Sequence, residues 1–187
     1  MRMFATCTRR LRFSLGRFSR DEEGVSAVEF ALLLPLMVTL YLGTAEVSQA
    51  ISAGRKATMT ARTVADLVSQ ETNVTNAEMT DIMNAAVSVM YPYSTSNLKV
   101  TVTAVNIDAN SKATVSWSDS YNGTARAVGS TVTPPSSVVV PNSSLIWSEV
   151  SYAYRPTVGY IITGTLTLKD QLYMAPRLST SVSRSAN

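Results

Sequence analysis

The longest apolar stretch of the chain lies close to its N-terminus. The 21 residues from Val25 to Ala45 include a single charged side chain, Glu29. A helix of this length spans about 30 Å, the thickness of the hydrocarbon core of a bilayer. The pattern therefore predicts a transmembrane helix over residues 25–45. A cleaved secretory signal is the alternative, although its apolar region is usually shorter, about 7 to 15 residues.

Hydrophobic residues continue past this stretch at a helical spacing. Between Val47 and Val68 they recur roughly every 3.5 residues, which favours an amphipathic helix. We expect the transmembrane helix to continue in this form to about residue 70. A separate helix after a short linker would show the same periodicity and stays open. The predicted packing face is an alanine-rich stripe that comprises Val47, Ala50 with Ile51, Gly54, Ala57, Ala61, Val64 with Ala65, and Val68.

The following segment contains the start signal of a second helix. Thr75 and Glu78 stand three residues apart, the spacing of a capping box, in which each side chain bonds the other residue's backbone N–H. Pro92 disfavours helical backbone in the residue before it. These signals predict a helix from Asn76 to Met90.

Apolar and polar residues then alternate, as they do in half-buried strands. The alternation covers residues 98–105 and returns at Ala113, Val115 and Trp117. Residues 108–111 between them have the composition of a turn. The pattern therefore predicts a β-hairpin.

The remainder of the chain predicts a loop and two further strands. Residues 119–144 are rich in Gly, Ser, Thr and Pro, which is typical of a mobile loop. Tyr152 and Tyr154 mark a third strand, where their spacing favours packing over a ligand platform, and residues 166–174 form a fourth. The expected fold class is α+β: a long N-terminal membrane-spanning helix, then a small domain over 71–187 with one further helix and an antiparallel sheet.

Positive charge is concentrated ahead of the apolar stretch. Residues 1–24 hold six arginines and three acidic residues, and their side-chain charge of +3 equals the net charge of the chain. By the positive-inside rule this basic leader is expected in the cytoplasm. The remaining residues are neutral in sum and lack a clustered basic surface. We therefore expect no nucleic-acid partner.

The chain lacks residue types that most enzymes need. It has no histidine, and its single cysteine is Cys7. Without histidine and with one cysteine, the chain lacks the usual ligands of a zinc site and the base of a Ser-His-Asp triad. We therefore expect neither a catalytic site nor a metal or other cofactor. Carboxylates such as Asp108, Asp119, Glu149 and Asp170 have no base or metal ligand nearby in sequence, and we interpret them as solvated side chains.

The boundary between the leader and the apolar stretch contains a motif. Charged residues are followed by Gly24, by Val25 and, four residues later, by Glu29. This order resembles the type III signal of prepilins and pseudopilins. The resemblance implies that a prepilin peptidase cuts between Gly24 and Val25 on the cytoplasmic face. It also implies that Glu29 sets subunit register by pairing with a neighbour's new α-amino group. Val25 departs from the phenylalanine of the commonest type IV pilins.

The residues after the junction resemble one family in particular. Residues 26–35, SAVEFALLLP, are similar to the opening of TadE/TadF-like proteins of tight-adherence pilus systems. Gly24, Glu29 and Pro35 at this spacing are the specific part of the resemblance, and Pro35 is expected to kink the membrane helix. Weaker similarities lie at residues 62–68, 150–156 and 174–177, with Ala175 departing from the family's "MRPR" pattern.

The resemblance implies a minor pseudopilin or pilus-assembly factor of a tight-adherence (Tad/Flp) type IV pilus. Residues 1–24 would be removed, and a pilin-like domain would face the periplasm from the bacterial inner membrane. The implied partners are the lipid bilayer, the prepilin peptidase, pilins, other pseudopilins and the inner-membrane assembly platform. An unprocessed anchor that presents a periplasmic binding domain uses the same features and stays open. A membrane-anchored hydrolase would need a nucleophile–base pair that the sequence does not offer.

Overall fold

The apolar N-terminal stretch and the residues after it lie in a single long helix. A computed structural model describes residues 22–156, 159 and 162–186, so most of the predicted leader, including Cys7, lies outside the described residues. The chain divides into two units, residues 1–45 and 46–187. The elements are α1 (Glu22–Ser69), β1 (Asn73–Val74), α2 (Asn76–Val89), β2 (Leu98–Ile107), β3 (Ala113–Tyr121), β4 (Thr131–Val132), β5 (Ser143–Tyr154), β6 (Leu166–Met174) and β7 (Ser183–Arg184), with a 3-10 turn at Ser136–Val138.

The fold class predicted from the sequence is confirmed: the chain is α+β, with a long apolar N-terminal helix, one more helix and an antiparallel sheet. Five strands form the sheet in the order β4-β3-β2-β5-β6, and every neighbouring pair is antiparallel. The short strands β1 and β7 form a separate parallel pair.

The second half of α1 packs by a face that overlaps most of the predicted stripe. Val47 is 46% exposed and Ile51 is 53% exposed, whereas Ala53 and Ala57 are buried. One residue along a helix turns the side chain by about 100°, so Ala50 is buried while Ile51 next to it is exposed. The prediction is thus confirmed for the alanines of the stripe and for Val64 and Val68, and it is wrong for Val47 and Ile51. The buried row comprises Glu46, Ala50, Ala53, Ala57, Ala61, Val64 and Val68.

Helix α2 begins at the predicted capping box. The Thr75 hydroxyl accepts a hydrogen bond from the Glu78 backbone N–H, and the Glu78 carboxylate accepts one from the Thr75 backbone N–H at 2.8 Å. Hydrogen bonds from the Thr75 backbone and hydroxyl to the carboxylate lower the pKa of Glu78. The helix ends at Val89, one residue before the predicted end.

The predicted hairpin forms from β2 and β3, but a bulge interrupts it. Ala104 pairs with Trp117 and Val105 pairs with Val115, which leaves Ser116 as an extra residue in β3. One extra residue moves the side chains on one side of the bulge to the other face of the sheet. Ala113 and Trp117 therefore lie in different hydrophobic clusters. The predicted single face for this strand was therefore wrong.

Both faces of the sheet contain buried apolar residues. The larger cluster joins α1, α2 and one face of β2 and β5, with Val100 and Ile146 fully buried. The smaller cluster lies on the opposite face and contains Val105, Ile107 and Leu145. Side chains alternate between the faces of a strand, so the two clusters share the backbone of β2 and β5. The centre of β2 is thus buried on both sides and not half-buried.

Strands extend into the segment predicted as a loop at both ends. Residues 119–121 continue β3 because Tyr121 pairs with Val100, and β5 begins at Ser143 opposite Ile107. Between them, β4 pairs with the start of β3. The polar composition of residues 119–144 therefore includes strand ends as well as turns.

Candidate functional site

The first half of α1 exposes a continuous set of apolar side chains. No described residue from Gly24 to Ala45 is buried. Within the described part of the chain, α1 is the one helix long and apolar enough to cross a membrane, and its most apolar 18-residue window has a mean hydropathy of 2.0. Such a surface is costly in water and suits a bilayer or the apolar helices of other proteins. The exposed side chains include Val25, Val28, Phe30, Leu32, Leu33, Leu34, Leu36, Met37, Val38, Leu40 and Tyr41.

Gly24 and Val25, the residues of the predicted cleavage, lie near the start of this helix. Both are exposed, and α1 begins two residues earlier, at Glu22. A peptidase acts on extended backbone, so this first turn must unwind before the bond between them can be cut. Glycine in a helix costs about 1 kcal/mol relative to alanine, which makes unwinding easier at Gly24.

Glu29 is exposed one helical turn after Val25. Residues four apart share a helix face, so the two positions lie about 6 Å apart along the axis. Pro35 lies inside α1 and has no N–H to donate. The Thr39 hydroxyl donates to the Pro35 carbonyl at 2.8 Å, a contact within the same helix turn. The structure thus brings Gly24, Val25 and Glu29 together and places Pro35 further along.

In the second unit, a charged and aromatic cluster lies on the sheet face opposite the helices. Arg126, from the β3–β4 connection, forms an ion pair with Glu149 and donates to the Thr103 hydroxyl at 3.1 Å. Its guanidinium also lies over the Trp147 ring, 3.7 Å from the ring centroid. Trp147 in turn stacks on Tyr173 at 5.3 Å. The sequence alone does not reveal this cluster, because its members come from four separate segments.

The predicted aromatic strand pair packs in the core. Tyr152 and Tyr154 are buried, and the ring of Tyr93 meets each of them edge-on at 6.4 and 6.2 Å. Burial raises the pKa of both strand tyrosines, with a further contribution from neighbouring phenols. The Tyr93 hydroxyl donates to the Gln49 carbonyl of α1 at 3.1 Å. These contacts support packing and not a ligand platform.

Two of the candidate carboxylates, Asp108 and Asp119, hold local structure. Asp108 accepts the backbone N–H groups of Asn110 and Lys112 and so holds the hairpin turn. Asp119 accepts a hydrogen bond at 2.8 Å from Arg184, the last residue of β7. Each therefore has a structural partner in its own part of the domain.

Comparison with known protein families gives a match to the N-terminal part of the chain. The family model described as "TadE-like protein" matches residues 24–66. Neither a search of curated proteins nor a search of solved structures gives a match. The resemblance that the sequence shows to TadE-like proteins is thus supported over the apolar part of α1 and most of its continuation.

The match and the exposed helix together support a coarse description of the protein. The TadE-like segment suggests involvement in a Tad pilus system. The single apolar helix found among the described residues is compatible with a membrane anchor.

Proposed function

We propose that the protein is a minor pseudopilin or a pilus-assembly factor of a tight-adherence (Tad/Flp) type IV pilus system. The observation that carries the proposal is the extent of the TadE-like match, which starts at Gly24 and ends at residue 66. It begins at the glycine of the cleavage motif and includes Glu29 and Pro35. A plain membrane anchor would share the apolar composition but would need neither the glycine nor the carboxylate.

In this proposal a prepilin peptidase cuts the bond between Gly24 and Val25. The cut creates an α-amino cation at Val25, while the exposed apolar side chains of α1 keep the protein in the bilayer. In an assembly, Glu29 of one subunit pairs with the new cation of its neighbour and partly offsets the desolvation of both charges. In this proposal the protein acts by holding a register between helices, which requires no catalytic site of its own.

The proposed location is the bacterial inner membrane, with the N-terminus in the cytoplasm and the domain in the periplasm. The orientation rests on the arginines of residues 1–24, which favour the cytoplasmic side. The proposed partners are the lipid bilayer, the prepilin peptidase, pilins, other pseudopilins and the inner-membrane assembly platform.

The alternative is an anchor that is not processed. It would use the same helix to present the domain to a secretion or envelope complex, and Gly24 and Glu29 would have no role in it. The two candidates differ in the N-terminus of the protein recovered from membranes.

The experiment compares three proteins in cells with an active prepilin peptidase. Mass spectrometry of wild-type protein from membranes is expected to give a mature chain that starts at Val25. Gly24→Arg places a large cation beside the scissile bond and should leave the precursor intact. Gly16→Arg adds the same charge within the leader and should still be cut. An intact Met1 start in the wild type would reject processing and favour the anchor.

A further inference from the structure

A polar groove lies on the sheet face opposite the helices. It has a volume of about 680 Å³, and strands β2, β5 and β6 supply its floor. The register sets two rows across these strands: Lys99, Ser151 and Lys169 in one, and Thr101, Glu149 and Gln171 in the next. We call this site the outer groove. The backbone from Asn122 to Thr124 forms part of its wall.

The first row presents two cations to solvent. Lys99 and Lys169 are exposed, and neither forms an ion pair with any residue that the structure describes. Neighbouring strands are about 4.8 Å apart, so the two lysines start about 10 Å apart with the Ser151 hydroxyl between them. This spacing suits two negative charges along one extended ligand.

The acidic residues at the groove are already engaged. Glu149 is paired with Arg126, and the Asp170 carboxylate accepts the Gln171 backbone N–H at 2.8 Å. Arg126 balances the charge of Glu149. Asp170 pairs across the sheet with the buried Val150, so its position is on the opposite face from Lys99 and Lys169. Lys99, Lys169 and Arg126 against Glu149 and Asp170 leave one net positive charge at the groove, which favours an anion.

The other groups that line the groove are hydroxyls and amides. Thr101, Ser151 and Thr124 offer hydroxyls, and Asn122 and Gln171 offer amides. Side chains of this kind match the many hydroxyl groups of a sugar. The one apolar lining residue, Val150, is buried, so the groove has no open pocket for the apolar side chains of a peptide.

We propose that the outer groove binds an acidic polysaccharide, a chain of sugars with carboxylate groups. Lys99 and Lys169 contact successive carboxylates, and the hydroxyls and amides of the floor and wall bond the sugar hydroxyls. This ligand-binding activity is separate from the assembly role of α1. It uses residues in the second unit alone.

The test measures binding of full-length protein in detergent to polygalacturonate, a polymer of carboxylated sugars. The double variant Lys99→Gln with Lys169→Gln should lower the affinity roughly tenfold, since each exposed charge pair contributes modestly. The chain has four lysines, so Lys56→Gln with Lys112→Gln is a control with the same net charge. The control should bind like the wild type, and binding by the wild type should weaken with added salt.

Two further polymers identify what is recognised. Neutral dextran should not bind, and polyglutamate, an acidic chain without sugar hydroxyls, should bind more weakly than polygalacturonate. An equal loss of affinity in both double variants, or absence of polygalacturonate binding by the wild type, would overturn the assignment of the binding site to the outer groove. Equal affinity for dextran would overturn the role of charge, and equal affinity for polyglutamate would overturn the assignment to a sugar. Both variants alter exposed or half-buried lysines, and their unfolding midpoints are measured to show that the fold is kept.

Discussion

Glu46 accepts a hydrogen bond from the backbone N–H of Ile162 at 2.9 Å, although the two residues are 116 positions apart in sequence. Glu46 is only 3% exposed and is the first residue of the second unit. A buried carboxylate needs such partners because burial without them is costly. The contact joins the start of the buried face of α1 to the connection between β5 and β6.

We expect Glu46→Leu to lower the free energy of unfolding by about 1–3 kcal/mol, because it leaves the Ile162 N–H without this acceptor. Glu46→Gln keeps an acceptor oxygen and should cost less. Both tryptophans of the chain, Trp117 and Trp147, lie in the second unit, so their fluorescence during denaturant unfolding of the full-length protein reports the change. A leucine variant as stable as the wild type would show that this contact contributes little.

The buried face of α1 gives a second prediction. Ala61 is 1% exposed, so Ala61→Asp places a charge in the core and should destabilise the domain by several kcal/mol. Ile51, which the sequence pattern places on the packing face, is exposed, and Ile51→Asp should leave the domain intact. Limited proteolysis of the second unit measures both. If the two variants were equally sensitive to the protease, the alanine row would not be the packing face.

The contrast between these two residues shows which features the sequence could predict. The existence and type of the elements follow from local signals: the apolar run, the Thr75 capping box and the alternation in β2. The face by which α1 packs follows only in part, because the stripe includes neighbouring positions such as Ala50 and Ile51 and the periodicity does not tell which of the two is buried. Close packing favours the smaller residue of that pair, so Ala50 is buried and Ile51 is exposed.

The two candidate sites also differ in how much of each the sequence could predict. Gly24, Glu29 and Pro35 lie within 12 residues, so their spacing alone is enough to suggest a motif. The outer groove depends on Lys99 and Lys169 sharing a row, which only the strand register reveals. The bulge at Ser116 is hidden from the sequence for a related reason, since alternation across it looks regular.

Two tyrosines in one cluster allow a matched test of hydroxyl bonding. The Tyr93 hydroxyl bonds the Gln49 carbonyl, and Tyr93→Phe should cost about 0.5–1.5 kcal/mol of stability. The Tyr154 hydroxyl is buried and has no hydrogen-bond partner among the residues that the structure describes. Tyr154→Phe should therefore be neutral or stabilising by up to about 1 kcal/mol. Denaturant midpoints of the two variants check this, and a larger loss for Tyr154→Phe would contradict the assignment.

The last prediction separates an assembling subunit from an anchor, and it depends on Glu29. A spanning helix needs no carboxylate, so in an anchor Glu29→Leu should be neutral or should ease insertion. In an assembling subunit the same change leaves a neighbour's α-amino cation without its partner, and an unpaired charge in a packed apolar setting costs several kcal/mol.

We therefore expect Glu29→Leu to give a stable membrane protein that is still cut after Gly24 but fails to complement a pilus-assembly defect and loses crosslinks to pilin-like partners. Thr39→Leu removes a polar group from the same exposed helix without touching the cleavage motif, and it should complement. Because the two variants make the same stretch more apolar, a defect confined to Glu29→Leu identifies the lost charge as its cause. Complementation by Glu29→Leu at normal expression would favour the anchor, since an assembled helix cannot lose this partner at no cost.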